Sequence, residues 1–311
     1  MDEPGKLSVE PVSPALGAEI FGVDLEAAAG KPEQIAAIRR ALLKHKVLFF
    51  RDQDISAGAQ VAFARSFGEL EVHPVLRHHP EHGELVLLDR GSRRAANENI
   101  YHADTTWREK PSMGSILRCV ECPPVGGDTI WANMALAYER LPERVKTICE
   151  ELYATHDIGH SFGGDLSVEK RRALSKEFPP QEHPVVAVHP ETGESILYVN
   201  QGFTTHFTNY TQKRERNLGA DFALEANKLM SYLMSQATHP EFQVRLRWKP
   251  NTIAFWDNRA TQHYAVQDYY PAVRRMVRVT VVGGKVQGLP DRQGRGEGIF
   301  MDVAAAAGGG S

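Results

Sequence analysis

The sequence predicts a mainly β protein of the α+β class, a sandwich or barrel core decorated by helices. Strand-like runs gather toward both ends of the chain, with helical patterns between them. The last third is richest in strand signals. Residues 242–248 alternate Val244, Leu246 and Trp248 with Gln243, Arg245 and Arg247, the mark of a half-buried strand. Runs at 253–256 and 274–282 follow. A parallel doubly wound sheet would need regular strand–helix alternation and a glycine-rich phosphate turn, and neither is present. With 311 residues, 42% of them apolar, the chain can fill one large core. Residues 1–303 read as one domain.

The elements follow in order. Pro32 stands near a helix start, ahead of Ile35, Ile38, Leu42 and Leu43 at helical spacing. Val47, Leu48, Phe49 and Phe50 form a continuous apolar run of strand length, expected to be buried on both faces. Ser56 is placed to cap a second helix that ends at Gly68. Segments 85–88 and 115–120 read as strands. Helical spacing runs over 133–153, divided by Pro142, and again over 225–237. The closing stretch 304–311, alanines running into glycines and Ser311, has nothing to bury and reads as a disordered or appended tail.

Composition narrows the function classes. Lys and Arg number 36 against 39 Asp and Glu, a formal charge of -3, so nucleic acid and anionic membranes are not expected as partners. No apolar run reaches bilayer length, and Met-Asp-Glu-Pro-Gly lacks the basic and apolar regions of a signal peptide. Three cysteines are too few for a disulfide framework, so reduced thiols and a cytoplasmic location are expected. Cys119 and Cys122 form a C-x-x-C without a second ligand pair, and read as residues of a strand and the turn after it.

Most of the 13 histidines read as surface residues, such as His78, His79 and His82 in a polar loop. His102 and Asp104 differ. Two apart on an extended strand, they would point to one face, and a neutral imidazole beside a carboxylate suits a divalent first-row metal. The plain alternative is a surface His–Asp pair. A third ligand must come from elsewhere. His263 is the leading candidate, because it follows a polar turn at the end of the buried run 253–256; His183 and His189 compete, without polar partners nearby.

In 274–282 a period of two puts Arg274, Met276, Arg278 and Thr280 on one face. Two arginines on one face of an apolar strand are costly in a core unless each meets an anion. That face either looks at solvent or lines a pocket for anionic small molecules. The two arginines are about 13 Å apart along the strand, so two anionic groups are implied if both are functional. Gly126, Gly127, Asp128 and Thr129 make a tight turn with a hydroxyl donor. Alone it is an ordinary turn; beside a metal and an arginine it could serve a carboxylate.

Taken together, His102-x-Asp104, the Gly126–Thr129 turn, Trp256-Asp257-Asn258-Arg259 through His263, and Arg274 with Arg278 resemble the TauD/TfdA family of Fe(II)- and 2-oxoglutarate-dependent dioxygenases. The resemblance runs from Gly17 to about Gly284. It implies a double-stranded β-helix (jelly-roll) core, with His102, Asp104 and His263 as iron ligands. It implies that Thr129 and Arg274 hold the distal carboxylate of 2-oxoglutarate, and that Arg278 faces an anionic substrate head or assists the cosubstrate. The activity implied consumes O2 and 2-oxoglutarate, yields succinate and CO2, and hydroxylates a substrate C–H. The family also suggests a homodimer or homotetramer.

Within the family the likeness is to taurine dioxygenase and alkylsulfatase relatives, carried by His73-Pro74-Val75, Gly202-Phe203-Thr204-Thr205 and the stretch from Asn258 to Val266. A small anionic sulfonate or alkyl sulfate is therefore the expected substrate. His73 and Arg278 would grip its head, Phe162 and Phe203 would wall its chain, and Thr105 would join the pocket. Leu76 stands where the taurine pattern has a tyrosine, Tyr101 replaces a tryptophan, and Glu98 lies in an altered stretch. These changes point to a larger or more apolar organic group, while Glu98 could instead meet a cationic group and Leu76 could be plain packing. The alternatives are an aryloxyalkanoate or other carboxylate dioxygenase of the same family, a zinc hydrolase using the same three ligands, and a silent metal-binding relative.

Overall fold

The computed structural model describes residues 7–90, 99–164, 166–210 and 224–290. It divides into two compact units, the first made of residues 1–106, 110–136 and 237–285, the second of 107–109, 137–236 and 286–311.

The first unit is built on a seven-stranded sheet in the order Ser8–Pro11, Ala18–Phe21, Val47–Phe50, Ile253–Asp257, Ser112–Glu121, Arg274–Val282, Leu85–Arg90. All its pairings are antiparallel except Ala18–Phe21 beside Val47–Phe50. The continuous apolar run Val47–Phe50 is buried at every residue, as expected, because both faces are covered. Leu48 and Phe50 join Phe255 and Val279 in a core shared with Ile38, Leu42, Val61 and Phe63 of the helices Pro32–His45 and Ala57–Arg65. Val47 and Phe49 face the other way, with Trp256 and Met276, onto Trp131, Val244, Leu246 and Trp248.

That second layer is a three-stranded sheet, Gln243–Leu246, Thr129–Asn133, Thr261–Ala265. Aromatic rings fill the space between the sheets: Trp131 lies 5.5 Å from Phe49 and 5.7 Å from Trp256, centroid to centroid. Two sheets with helices on the outer face of one make the helix-decorated sandwich that the strand pattern predicted, in keeping with the jelly-roll core that the resemblance implied. Close approach sets one position: a Cβ on Gly114 would sit 2.6 Å from the carbonyl oxygen of Trp256 on the neighbouring strand.

Several element ends differ from expectation: the strand expected over 242–248 spans only Gln243–Leu246, and two helices also end elsewhere. Ser56 caps its helix by accepting the Ala59 N–H, but the helix ends at Arg65 rather than Gly68. Its last turn tightens instead, Ser66, Phe67 and Gly68 bonding the carbonyls of Phe63, Ala64 and Arg65. The segment 133–153 does break at Pro142, into helices Met134–Glu139 and Glu143–Cys149, yet Tyr153 opens a strand instead of closing a helix. That strand, Tyr153–His156, alternates half-buried and buried residues between two antiparallel neighbours, Thr204–Phe207 and Gln181–Pro184.

The second unit holds this sheet and another of three strands, Ser195–Leu197, Val186–Val188, Gln287–Gly288, with helices Ile158–Phe162, Val168–Glu177 and Leu224–Ser235. All three cysteines are free, Cys119 in its strand and Cys122 just after it. No helix among the described residues is long and apolar enough to cross a membrane.

Candidate metal and anion site

His102, Asp104 and His263 come together in the first unit, one donor atom of each lying within 4.8 Å of the others. Among the described residues they form the one His, Cys or carboxylate cluster with metal-binding spacing. His102 and His263 are joined backbone to backbone, the His102 N–H donating to the His263 carbonyl at 3.0 Å and the reverse bond measuring 2.8 Å. The expectation of an extended strand through 102–104 is corrected. His102 makes a single bridge at the edge of the Thr261–Ala265 strand, and the chain then turns, with Thr105 in the left-handed region at φ 55°. A turn instead of a strand still delivers both donors to one place.

Asp104 is fixed at almost every polar atom. Its backbone N–H donates to Asn258 Oδ1 at 2.7 Å, and its carbonyl accepts from Asn258 Nδ2 at 2.8 Å. Its carboxylate accepts from Ser115 Oγ at 2.7 Å and from Arg278 Nη1 at 2.6 Å. Burial raises the acid's pKa, but the Arg278 guanidinium, both imidazoles and the Ser115 hydroxyl outweigh it and hold the carboxyl well below the usual range. Asp104 is thus an anion.

Both histidines suit a metal. His102 Nδ1 lies 2.9 Å from the Ile100 carbonyl; donating there, it leaves Nε2, 4.0 Å from Asp104 Oδ1, as the lone-pair nitrogen. His263 is wedged against Trp256 and His102, with ring centroids 4.9 and 4.2 Å away. Burial, and then the neighbouring His102, push its pKa down to about 3, so the ring is neutral, the ligating form. Its Nδ1 is buried with no hydrogen-bond partner among the described residues, an orphaned atom of the kind a ligand would satisfy. Two imidazoles and a carboxylate fit a two-His, one-carboxylate centre.

Arg274–Val282 turns its two-arginine face inward: Arg274 and Arg278 are buried while Arg275 is exposed. The solvent-facing alternative is therefore excluded. Arg278 meets Asp104, and its Nε is buried without a partner among the described residues. Arg274 donates from Nε to the Gly127 carbonyl at 3.0 Å and from Nη2 to Thr129 Oγ1 at 3.2 Å. Gly127 sits at φ 71°, and a Cβ there would press on Arg274 Cδ at 3.1 Å, so the turn needs glycine at this position. Trp248 Nε1 also donates to Thr129 Oγ1, at 2.9 Å.

The other predicted residues are more scattered. His73 is buried and accepts the N–H groups of Val75 and Leu76 at Nδ1, both at 3.2 Å. Its segment is tied to the arginine strand where Glu71 N–H bonds the Thr280 carbonyl. Leu76 is half-buried. Thr105 is buried and its hydroxyl accepts the Ser112 N–H at 3.0 Å. Phe162 and Phe203 stack at 6.3 Å in the second unit, with Trp107 and Ile158 in the same cluster. Glu98 lies outside the described residues, as does the 304–311 tail. His183 and His189 are buried in the second unit. His183 Nε2 lies 3.1 Å from the Arg108 carbonyl, and His189 Nδ1 accepts the N–H groups of Glu191 and Thr192. Sequence reasoning missed Ser115, Trp248 and the clamp made by Asn258. Ser115 and Trp248 stood in stretches read only as strands, and Asn258 stood inside the turn that precedes His263.

Comparison with known proteins agrees with this geometry. The taurine catabolism dioxygenase TauD, TfdA family matches residues 8–280, a span running through both units. An alpha-ketoglutarate-dependent sulfate ester dioxygenase of Pseudomonas putida is 37% identical over 290 residues, covering 89% of this chain and 90% of the relative. An alkylsulfatase of Acinetobacter baylyi is 34% identical over 298 residues, covering 93% and 89%. The crystal structure of a taurine dioxygenase from Burkholderia xenovorans, 35% identical, superposes with a TM-score of 0.76 over 92% of this chain and 94% of its own. The chain belongs to the TauD/TfdA family of dioxygenases.

Proposed function

We propose that the protein is an Fe(II)- and 2-oxoglutarate-dependent dioxygenase that hydroxylates the carbon bearing the sulfur head group of an alkyl sulfate or sulfonate. The hydroxylated product then fragments to an aldehyde plus sulfate or sulfite. The observation that carries this reading is a His–Asp–His cluster whose aspartate is bonded by Arg278, one of two buried arginines on one strand. Bound iron, with 2-oxoglutarate and O2, supplies the oxidant and releases succinate and CO2.

The chain's own residues do the rest. His102, Asp104 and His263 would hold the iron. Arg274 and Thr129 would bind the distal carboxylate of 2-oxoglutarate. Arg278 and His73 would bind the sulfur oxyanion. Thr105 and Leu76, in the same unit as the metal cluster, would shape the pocket. The likeness to a sulfate ester dioxygenase and an alkylsulfatase supports the sulfur head group.

The test is succinate formation from 2-oxoglutarate under Fe(II) and O2 with alkyl sulfates, alkyl sulfonates, taurine and aryloxyalkanoates. Sulfate or sulfite released one-to-one with succinate is the expected result. Stimulation by aryloxyalkanoates alone would replace the substrate class. No succinate from iron-loaded protein would remove the dioxygenase mechanism.

A further inference from the structure

We infer that Trp248 is a positioning residue for the cosubstrate site: its indole N–H orients the Thr129 hydroxyl so that the O–H is offered to the distal carboxylate of 2-oxoglutarate. This rests on reading Arg274 and Thr129 as that carboxylate's site. Trp248 is buried, two residues beyond the strand Gln243–Leu246, whose Leu246 pairs in register with Thr129. An indole nitrogen only donates, and so does a guanidinium. Thr129 Oγ1 accepts from Trp248 Nε1 at 2.9 Å and from Arg274 Nη2 at 3.2 Å. Both lone pairs of the hydroxyl are then in use, and its one proton cannot point at either donor.

Thr129 is thereby fixed as a donor, the polarity an incoming carboxylate requires. With the indole N–H removed, a lone pair is released and the hydroxyl is free to rotate. The guanidinium carbon of Arg274 lies 5.8 Å from the Trp248 ring centre, so the same side chain flanks both groups. A purely structural Trp248 would pack between the sheets, 6.3 Å from Trp131, without influence on which oxo acid binds.

The experiment compares binding of 2-oxoglutarate with binding of 2-oxobutyrate, which lacks the distal carboxylate, by anaerobic calorimetry on Mn(II)-loaded protein. Trp248→Phe should weaken 2-oxoglutarate about tenfold, the loss expected of one hydrogen bond that prepares a charged contact, and leave 2-oxobutyrate unchanged. In a Thr129→Val background the same substitution should have no further effect. Replacing Trp248 by 3-benzothienylalanine keeps the shape and removes only the N–H, so the test survives if the phenylalanine variant folds poorly. Equal weakening of both oxo acids, or none of either, would overturn the proposal. Arg274→Ala separates the two levels: if it leaves 2-oxoglutarate binding intact, the underlying assignment of the site has failed. If it weakens binding while both Trp248 variants do not, only the role of Trp248 has.

Discussion

Asp104 is the most tightly held residue of the site, and the holding is done by neighbours with no metal chemistry of their own. Asn258 grips both its backbone groups and also donates to Ser112 Oγ at 2.8 Å. Asn258→Ala removes these bonds and leaves buried polar groups unsatisfied. It should cost about 1–3 kcal/mol of stability and weaken Mn(II) binding about 10–100-fold. A metal titration beside denaturant unfolding checks both, and unchanged affinity would mean that Asp104 holds its position without the clamp. The three residues proposed as ligands were legible because few residue types bind first-row metals and their chemistry is distinctive. Asn258 and Ser115 were not, since an asparagine in a turn or a serine in a strand has many ordinary uses, and only three-dimensional proximity picks out this one.

At the scale of elements, the alternating pattern of Arg274–Val282 read correctly as two faces, but period alone could not say which face was inside. The answer depends on the layer facing it, where Trp131 and Val244 of the second sheet and Trp248 just beyond that sheet come from other segments of the chain. The same limit explains the strand expected at 102–104, where the left-handed Thr105 broke a pattern that spacing suggested. His156 shows how an element can bury a titratable group with no local signal. It closes the strand Tyr153–His156 with its ring 5.2 Å from His183, and burial, then His183, hold its pKa well below the ordinary value. The unfolded chain takes up a proton near pH 6.5, while the folded one does not. Stability from this group is therefore full above that pH and is lost as the pH falls below it. Tm measured from pH 7.5 down to 5.5 should decline, and His156→Gln should flatten the decline. An equally steep profile in the variant would assign the acid sensitivity to other groups.

For the molecule as a whole, a ligand that binds only the folded state stabilises it, by about 2.7 kcal/mol at a hundredfold excess over Kd. Mn(II) should accordingly raise the Tm, 2-oxoglutarate should raise it further, and His102→Ala should abolish the metal-dependent rise. A full rise in the variant would place the cation elsewhere. The β-rich, helix-decorated class was readable from strand spacing across the whole chain, because alternation is a local property. The division into two compact units was not, because it depends on contacts between remote segments. His102 and His263 meet through reciprocal backbone bonds, so the pair does not exist until segments distant in the chain have docked. Closing a loop of that length is slow compared with forming helices. A metal site built from these three residues would therefore be completed only late in folding. A nascent chain that has not yet reached the strand Thr261–Ala265 offers a divalent cation one imidazole and one carboxylate, too few to keep it.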